Sequence, residues 1–330
     1  MFQLIKKTLR VGEDFFFYFF CSLLLIYLYV LPNINTSLIR TPYPTSVEAG
    51  LALPLPVNYS SANLLPAITN RLFGVTNEQH PVYSYEFFMA TVFIFIYILL
   101  FFSCFLSRVI NHKRISALTF IFLPMNQLLI KPLDIYNIYI FLGIAICFYS
   151  LNKKYVFFLV GASFFVLAHP EQSLAAFFAI TLLSYVNGFG YIRSRAMGSL
   201  ALSIFINVVI QVWYFAYGFR GSRTVEIIFS FPNTFNEHIS DLRGSLITIL
   251  LMYGAVWILV IYILTTYTQG FWDKVLFSIS TILVPFFFWF VTSDGLRCVV
   301  SITTLTSLIL LNFMNSKRTL ESVPFFRPNS

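Results

Sequence analysis

The feature that most constrains this chain is a series of ten long apolar runs separated by short polar connections. They fall at about 14–32, 86–107, 115–131, 134–151, 154–169, 172–188, 197–219, 244–267, 273–292 and 297–314. A helix needs roughly 20 apolar residues to cross a hydrocarbon layer. In lipid every backbone amide and carbonyl must pair within its own segment, so helices are the default for such runs. Hydrophobic residues make up 58% of the chain and charged residues 10%, where a soluble domain carries about a quarter charged. The expected fold is therefore all-α. It is a polytopic integral membrane protein of about ten transmembrane helices, built as a single transmembrane domain over 1–330.

No cleaved signal peptide is expected, because the first apolar run is long and no small-residue cleavage pattern follows it. Cys21, Cys104, Cys147 and Cys298 lie in or beside apolar runs without ligand spacing and read as small core residues. The formal net charge of +8 is distributed as an orientation signal and gives no indication of a nucleic-acid partner.

Lysine and arginine in short loops set orientation. Lys6, Lys7 and Arg10 precede the first run, and every second connection after it is basic. These are Arg108/Lys113/Arg114, Lys153/Lys154, Arg193/Arg195, Lys274, and Lys317/Arg318/Arg327. Both termini are then expected on the cytoplasmic side. The opposite, external side receives Glu48, Glu78, Glu86, Asp134, Glu171, Glu226, Glu237, Asp241 and Asp294, with His80, His169 and His238. Exclusion of bases from outer loops would give an acid-rich face by default. Several of these groups, however, sit in very short connections at the edge of hydrocarbon, where charge is costly.

Two external connections are long, at about 32–85 and 219–244. The first carries Leu64, Leu65, Ile68, Leu72 and Phe73 on one helical face, with Asn70 and Arg71 on the other. That is the pattern of an amphipathic helix lying on a membrane surface. In the second, His238, Asp241 and Leu242 stand at helical spacing, which predicts a short helix running into the next span. On the cytoplasmic side, Asn187–Arg195 contains a GxG with no preceding strand and reads as a turn with a basic anchor.

Five constellations are candidates for chemistry. His169-Pro-Glu171-Gln172 lies in a tight turn, where imidazole and carboxylate can act as a base and its partner or hold a phosphate-bearing head group. The same residues also suit a helix start, with proline and an acid in the first turn. Asp294-Gly-Leu-Arg297 places an arginine suited to gripping phosphate, or simply ends a helix. Lys131-Pro-Leu-Asp134 is a charged turn close to lipid, or a snorkelling lysine with a capping acid. Arg220, Arg223 and Arg243, with His238 and Asp241, suit an anionic lipid-linked substrate or an anchor on head groups. Glu48 stands alone, about sixteen residues after the first run. No spacing demands a metal, although carboxylates together with a substrate phosphate can hold a divalent ion.

This layout resembles the GT-C superfamily of membrane glycosyltransferases. Those enzymes place a long external loop with surface helices after helix one and a second external loop after helix seven, as do 32–85 and 219–244 here. The stretch 117–185 is also similar, with its short helices, Lys131-Pro-Leu-Asp134 and Ala168-His-Pro-Glu-Gln172. The resemblance implies sugar transfer from a polyprenyl-linked donor on the external face, with a first-loop carboxylate as base. By position that carboxylate is Glu48, although the acid pair common in the family is missing here. The chain is also similar to polysaccharide polymerases of the Wzy and EpsG kind. Their outer-face arginines and histidines would correspond in kind to Arg220, Arg243, Arg297 and His169. Both resemblances imply a bacterial inner membrane, a polyprenyl-phosphate- or pyrophosphate-linked glycan, membrane lipid and other envelope-glycan assembly proteins as partners. The rival classes are a transporter or glycan flippase, expected to show interrupted helices at mid-depth, and a non-catalytic scaffold.

Overall fold

The computed structural model describes residues 135–151, 153–216, 223–254, 256–291 and 295–321, and all of its described secondary structure is helical. The order is α1 (Ile135–Tyr149), α2 (Tyr155–Ala168), α3 (Pro170–Leu183), a 3₁₀ turn (Gly190–Ile192), α4 (Arg193–Ala216), α5 (Arg223–Ser240) and α6 (Leu242–Tyr253). Then come α7 (Val256–Thr266), α8 (Phe271–Ser278), a π-helical segment (Ile279–Leu283), α9 (Val284–Val291) and α10 (Gly295–Glu321). Among the described residues two stretches, Gly190–Trp213 and Phe271–Val291, are long and apolar enough to cross a membrane. The apolar runs expected within 134–219 and at 297–314 each appear as one helix.

Helix α10 is the hub. From Cys298 to Met314 every residue except Leu311 is buried. It packs against α3, α9, α1, α7 and α6. A helix buried on all sides must satisfy its own polar groups. The hydroxyls of Thr303 and Thr306 do so by donating to the carbonyls of Val299 and Ile302, at 2.7 and 2.8 Å, and Ser307 donates to Thr303.

Polarity in α4 is inverted relative to a soluble helix. Ile204, Phe205, Val208, Val209, Val212 and Phe215 face outward, while Ser199 and Ser203 are fully buried. In water such a helix would turn over, whereas an apolar surround accepts it.

Helices α1 and α2 cross closely at Gly143 and Gly161. A Cβ at Gly143 would lie 2.7 Å from the Gly161 carbonyl oxygen, and one at Gly161 would lie 2.6 Å from the Cys147 amide nitrogen. Small residues allow backbones this near approach. Cys147 and Cys298 are buried and in no disulfide, as expected of core residues; Cys21 and Cys104 lie outside the described residues.

Two expected elements differ in detail. The run at 244–267 is two helices, divided at Gly254, whose φ of 46° ends α6. The run at 273–292 is helical as far as it is described, to Val291, but holds the π segment at Ile279–Leu283 just before Pro285. Pro285 has no N–H for the carbonyl of Thr281, one turn earlier. The phenol of Tyr253, at the end of α6, donates to that carbonyl at 2.5 Å. The two discontinuities therefore meet and satisfy each other. A third difference lies in the connection at 219–244, where the helix is not short: α5 spans Arg223–Ser240, and Asp241 then caps α6 by accepting from the Gly244 amide at 3.1 Å.

Hydrogen bonds gather the connections at two ends of the bundle. At one end Arg195 Nη2 donates to the Lys153 carbonyl (2.7 Å), Asn187 binds Asp273, and Asn312 Nδ2 donates to the Tyr191 hydroxyl (3.2 Å). At the other end Asn207 Nδ2 donates to the Pro170 carbonyl (3.1 Å) and Ser301 Oγ to Gln172 Oε1 (3.1 Å). The basic pairs Lys153/Lys154 and Arg193/Arg195 share the first end; His169 and Glu171 occupy the second.

Candidate functional site

The second end contains a buried polar corner. His169 is the single residue between α2 and α3. Its amide donates to the Phe165 carbonyl, closing α2, and its carbonyl accepts from Ser173, opening α3. Extended backbone (φ −153°) makes the corner, and Pro170 at the first position of α3 needs no donor there. The side chain of His169 is 3% exposed and that of Glu171 14%, and His169 Nδ1 lies 3.3 Å from Glu171 Oε2. The helix start and the imidazole–carboxylate pair are therefore one structure: the cap geometry brings the two side chains together.

Next to this pair, Gln172 is fully buried and its Oε1 accepts from Ser301 of α10. Arg297 lies one turn before Ser301 in the same helix. On the α4 side the Pro170 carbonyl accepts from Ser173 (2.7 Å), Asn207 (3.1 Å) and Ser203 (3.4 Å), and the Ser173 and Ser203 hydroxyls share a 2.8 Å hydrogen bond. These bonds fix the corner against α4 and α10. A preorganised base and orienting partner need such support, because their geometry has to survive substrate binding.

His238 sits in a different setting. Its ring lies 5.2 Å from that of Trp289 and meets Phe290 edge-on at 5.8 Å, with Ser245 Oγ 3.4 Å from Nδ1. Phe235 also contacts Phe290, so one face of α5 is packed on α9. Arg243 is the second residue of α6 and is exposed. Asp241 acts as an N-cap. Arg223 opens α5. Glu48, Lys131, Asp134, Arg220 and Asp294 lie outside the described residues, as do the first long loop and its amphipathic helix.

Of the candidates named from sequence, the structure thus joins His169 with Glu171 and sets His238 among aromatics. Sequence reasoning singled out Gln172 with the His169 turn but missed Ser173, Ser203, Asn207 and Ser301. A signal for part of this set was present: Ser199, Ser203 and Asn207 recur every four residues in an otherwise apolar run, a polar stripe along one helical face. Among the described residues no group of three or more His, Cys, Asp or Glu side chains is placed to hold a metal.

No protein-family model matches the chain, and no curated protein or solved structure matches it either.

Proposed function

We propose that this chain is a multi-pass membrane glycosyltransferase of the GT-C kind. It would act on the external face of a bacterial inner membrane, with about ten spans and both termini in the cytoplasm. The donor is a sugar on polyprenyl phosphate or pyrophosphate, and the product belongs to envelope polysaccharide or glycolipid.

The observation that carries this reading is the buried His169–Glu171 pair, held beside the start of α10 where Arg297 lies. In the proposed reaction Glu171 removes the acceptor hydroxyl proton and His169 orients the carboxylate. The acceptor oxygen bonds to the sugar's anomeric carbon as the carbon–oxygen bond to the carrier phosphate breaks. Arginines suit the departing phosphate because their planar fork binds it in two-point fashion. Arg297, Arg220, Arg223 and Arg243 are the candidates. Glu48 is the alternative base that the family resemblance implies. The outward apolar face of α4 and the two membrane-length helices support the membrane part of the reading.

The test is transfer from a polyprenyl-linked sugar by the full chain in lipid nanodiscs, together with complementation of the surface glycan. If Glu171→Gln, Glu48→Gln and Arg297→Ala all transfer at wild-type rate with normal protein levels, the mechanism is wrong.

A flippase is the second reading, favoured by the abutting discontinuities at Gly254 and Ile279–Leu283. Transporters place broken helices at their substrate sites. Carrier-linked glycan crossing a vesicle bilayer, with no new glycosidic bond formed, would decide for it.

A further inference from the structure

The end of the bundle opposite His169 carries a second arrangement that sugar transfer does not use. The α1–α2 turn presents Lys153 and Lys154, both exposed, and the start of α4 presents Arg193 and Arg195. Arg195 ties the two turns together: Nη2 donates to the Lys153 carbonyl at 2.7 Å and Nη1 to the Tyr191 carbonyl at 3.1 Å. Arg193 lies over the Tyr185 ring at 4.5 Å and donates to the Ser184 carbonyl at 3.3 Å. Lys153 stands 5.4 Å from the Tyr149 ring centroid. All these partners are neutral. Among the described residues none of the four cations pairs with a carboxylate. Asp273, an acid at this end, is 8% exposed and engaged by the amide and side chain of Asn187. Four positive charges therefore share one notch, and among the described residues no carboxylate pairs with them.

An apolar wall adjoins the notch. Immediately after Lys154, helix α2 exposes Tyr155, Val156, Phe157 and Val160, with Val156 64% and Phe157 54% exposed. Tyr155 lies across Gly198 of α4, so the wall continues onto that helix, where Met197 and Phe205 are exposed. A free phosphate would use the cations alone. A ligand that uses both features has an anionic head and a long apolar tail.

We infer that the notch formed by Lys153, Lys154 and Arg195, with the Val156/Phe157/Val160 face beside it, is a binding site for an anionic phospholipid. Its phosphate lies against the cations and its acyl chains run along α2. The inference rests only on the membrane part of the proposed function and is independent of glycosyl transfer. Each lysine or arginine near an anionic lipid surface contributes about 1 kcal/mol, roughly fivefold in affinity.

The experiment is native mass spectrometry and thermal unfolding of the full-length protein in detergent, with phosphatidylglycerol, phosphatidylcholine or inorganic phosphate added. Phosphatidylglycerol is expected to be retained and to raise the Tm. Phosphatidylcholine and phosphate at the same concentration should not. Lys153→Gln with Lys154→Gln should weaken retention roughly 25-fold, taking about fivefold for each lysine, while Lys153→Arg with Lys154→Arg preserves it. Arg195→Gln also removes the bond between the turns, so the lysine pair, whose side chains donate no hydrogen bond among the described residues, keeps the test readable if that variant unfolds. Equal retention of the two lipids, unchanged retention in the double glutamine variant, or full reproduction of the effect by inorganic phosphate would each overturn the site. A failed transfer assay leaves this result standing. A protein that dissolves without detergent or lipid would instead remove the membrane reading itself.

Discussion

The phenol of Tyr253 donates to the carbonyl of Thr281 at 2.5 Å, replacing the amide that Pro285 cannot supply. Tyr253 is 1% exposed, and its ring stacks on Trp257 at 4.5 Å across the break at Gly254. Tyr253→Phe should therefore lower stability by about 1 kcal/mol, the scale of a hydrogen bond between membrane helices. Combining it with Pro285→Ala restores an N–H near the orphaned carbonyl, so the double variant should lose less than the sum of the single changes. Unfolding midpoints of the four proteins check this. Strict additivity would show that the phenol is not acting as the missing donor.

At the opposite end Asp273 receives the Asn187 amide at 3.2 Å and its side-chain amide at 2.5 Å. Behind that turn Phe189 stacks on Phe313 at 4.4 Å and contacts Phe277. Removing the carboxylate strands two donors, so Asp273→Ala should cost about 2–3 kcal/mol, the range for a partly buried hydrogen bond to a charged group. Asp273→Asn should cost less, because one acceptor oxygen remains. Thermal unfolding, with limited proteolysis at 184–190, measures both, and equal losses would contradict the assigned acceptor role.

The Gly143–Gly161 crossing has no space for a side chain. Gly161→Leu is expected to force α1 and α2 apart and destabilise by at least about 1–3 kcal/mol, the usual penalty for overpacking. At Gly190, where no atom lies within 4 Å of an added Cβ, alanine should be nearly neutral. Comparing expression and Tm of the two variants separates close packing from a general intolerance of glycine replacement.

Glu171→Gln should lower sugar transfer by about 10²–10⁴-fold, the range for losing a general base, at unchanged Tm. Glutamine keeps the size and hydrogen-bonding capacity of the side chain, so folding is expected to survive. Retained transfer in this variant, with loss in Glu48→Gln, would move the base to the first loop.

Among the described residues, helix positions and the grouping of connections were legible because both follow from local rules; the expected runs at 14–32, 86–107 and 115–131 lie outside those residues. Apolar length marks helices, and basic turns alternate with acidic ones. Thus Lys153 and Arg195, 42 residues apart in sequence, are joined by a hydrogen bond at one end, as the alternation expects. The break at Gly254 was not legible because Leu250–Thr266 is apolar on both sides of it, and hydropathy does not register a single positive φ. Nor was the centrality of α10. A lipid-facing helix and a fully buried one have the same apolar content, and only packing separates them. The site was half legible. His169 and Glu171 are neighbours in sequence, so their pairing is local. Ser301 reaches Gln172 across 129 residues, and no periodicity encodes that contact.

The position of α10 has a consequence for assembly. During synthesis α1–α9 emerge before α10, the helix against which α1, α3, α6, α7 and α9 all pack, exists. Until it arrives, Gln172 of α3 has no Ser301 to bind, and the faces of α3, α6, α7 and α9 that α10 covers stay uncovered. The final packing of these helices therefore waits for the last of them. A premature stop before Cys298 would leave not a slightly shorter protein but a set of helices without the element that joins them, a natural target for quality control.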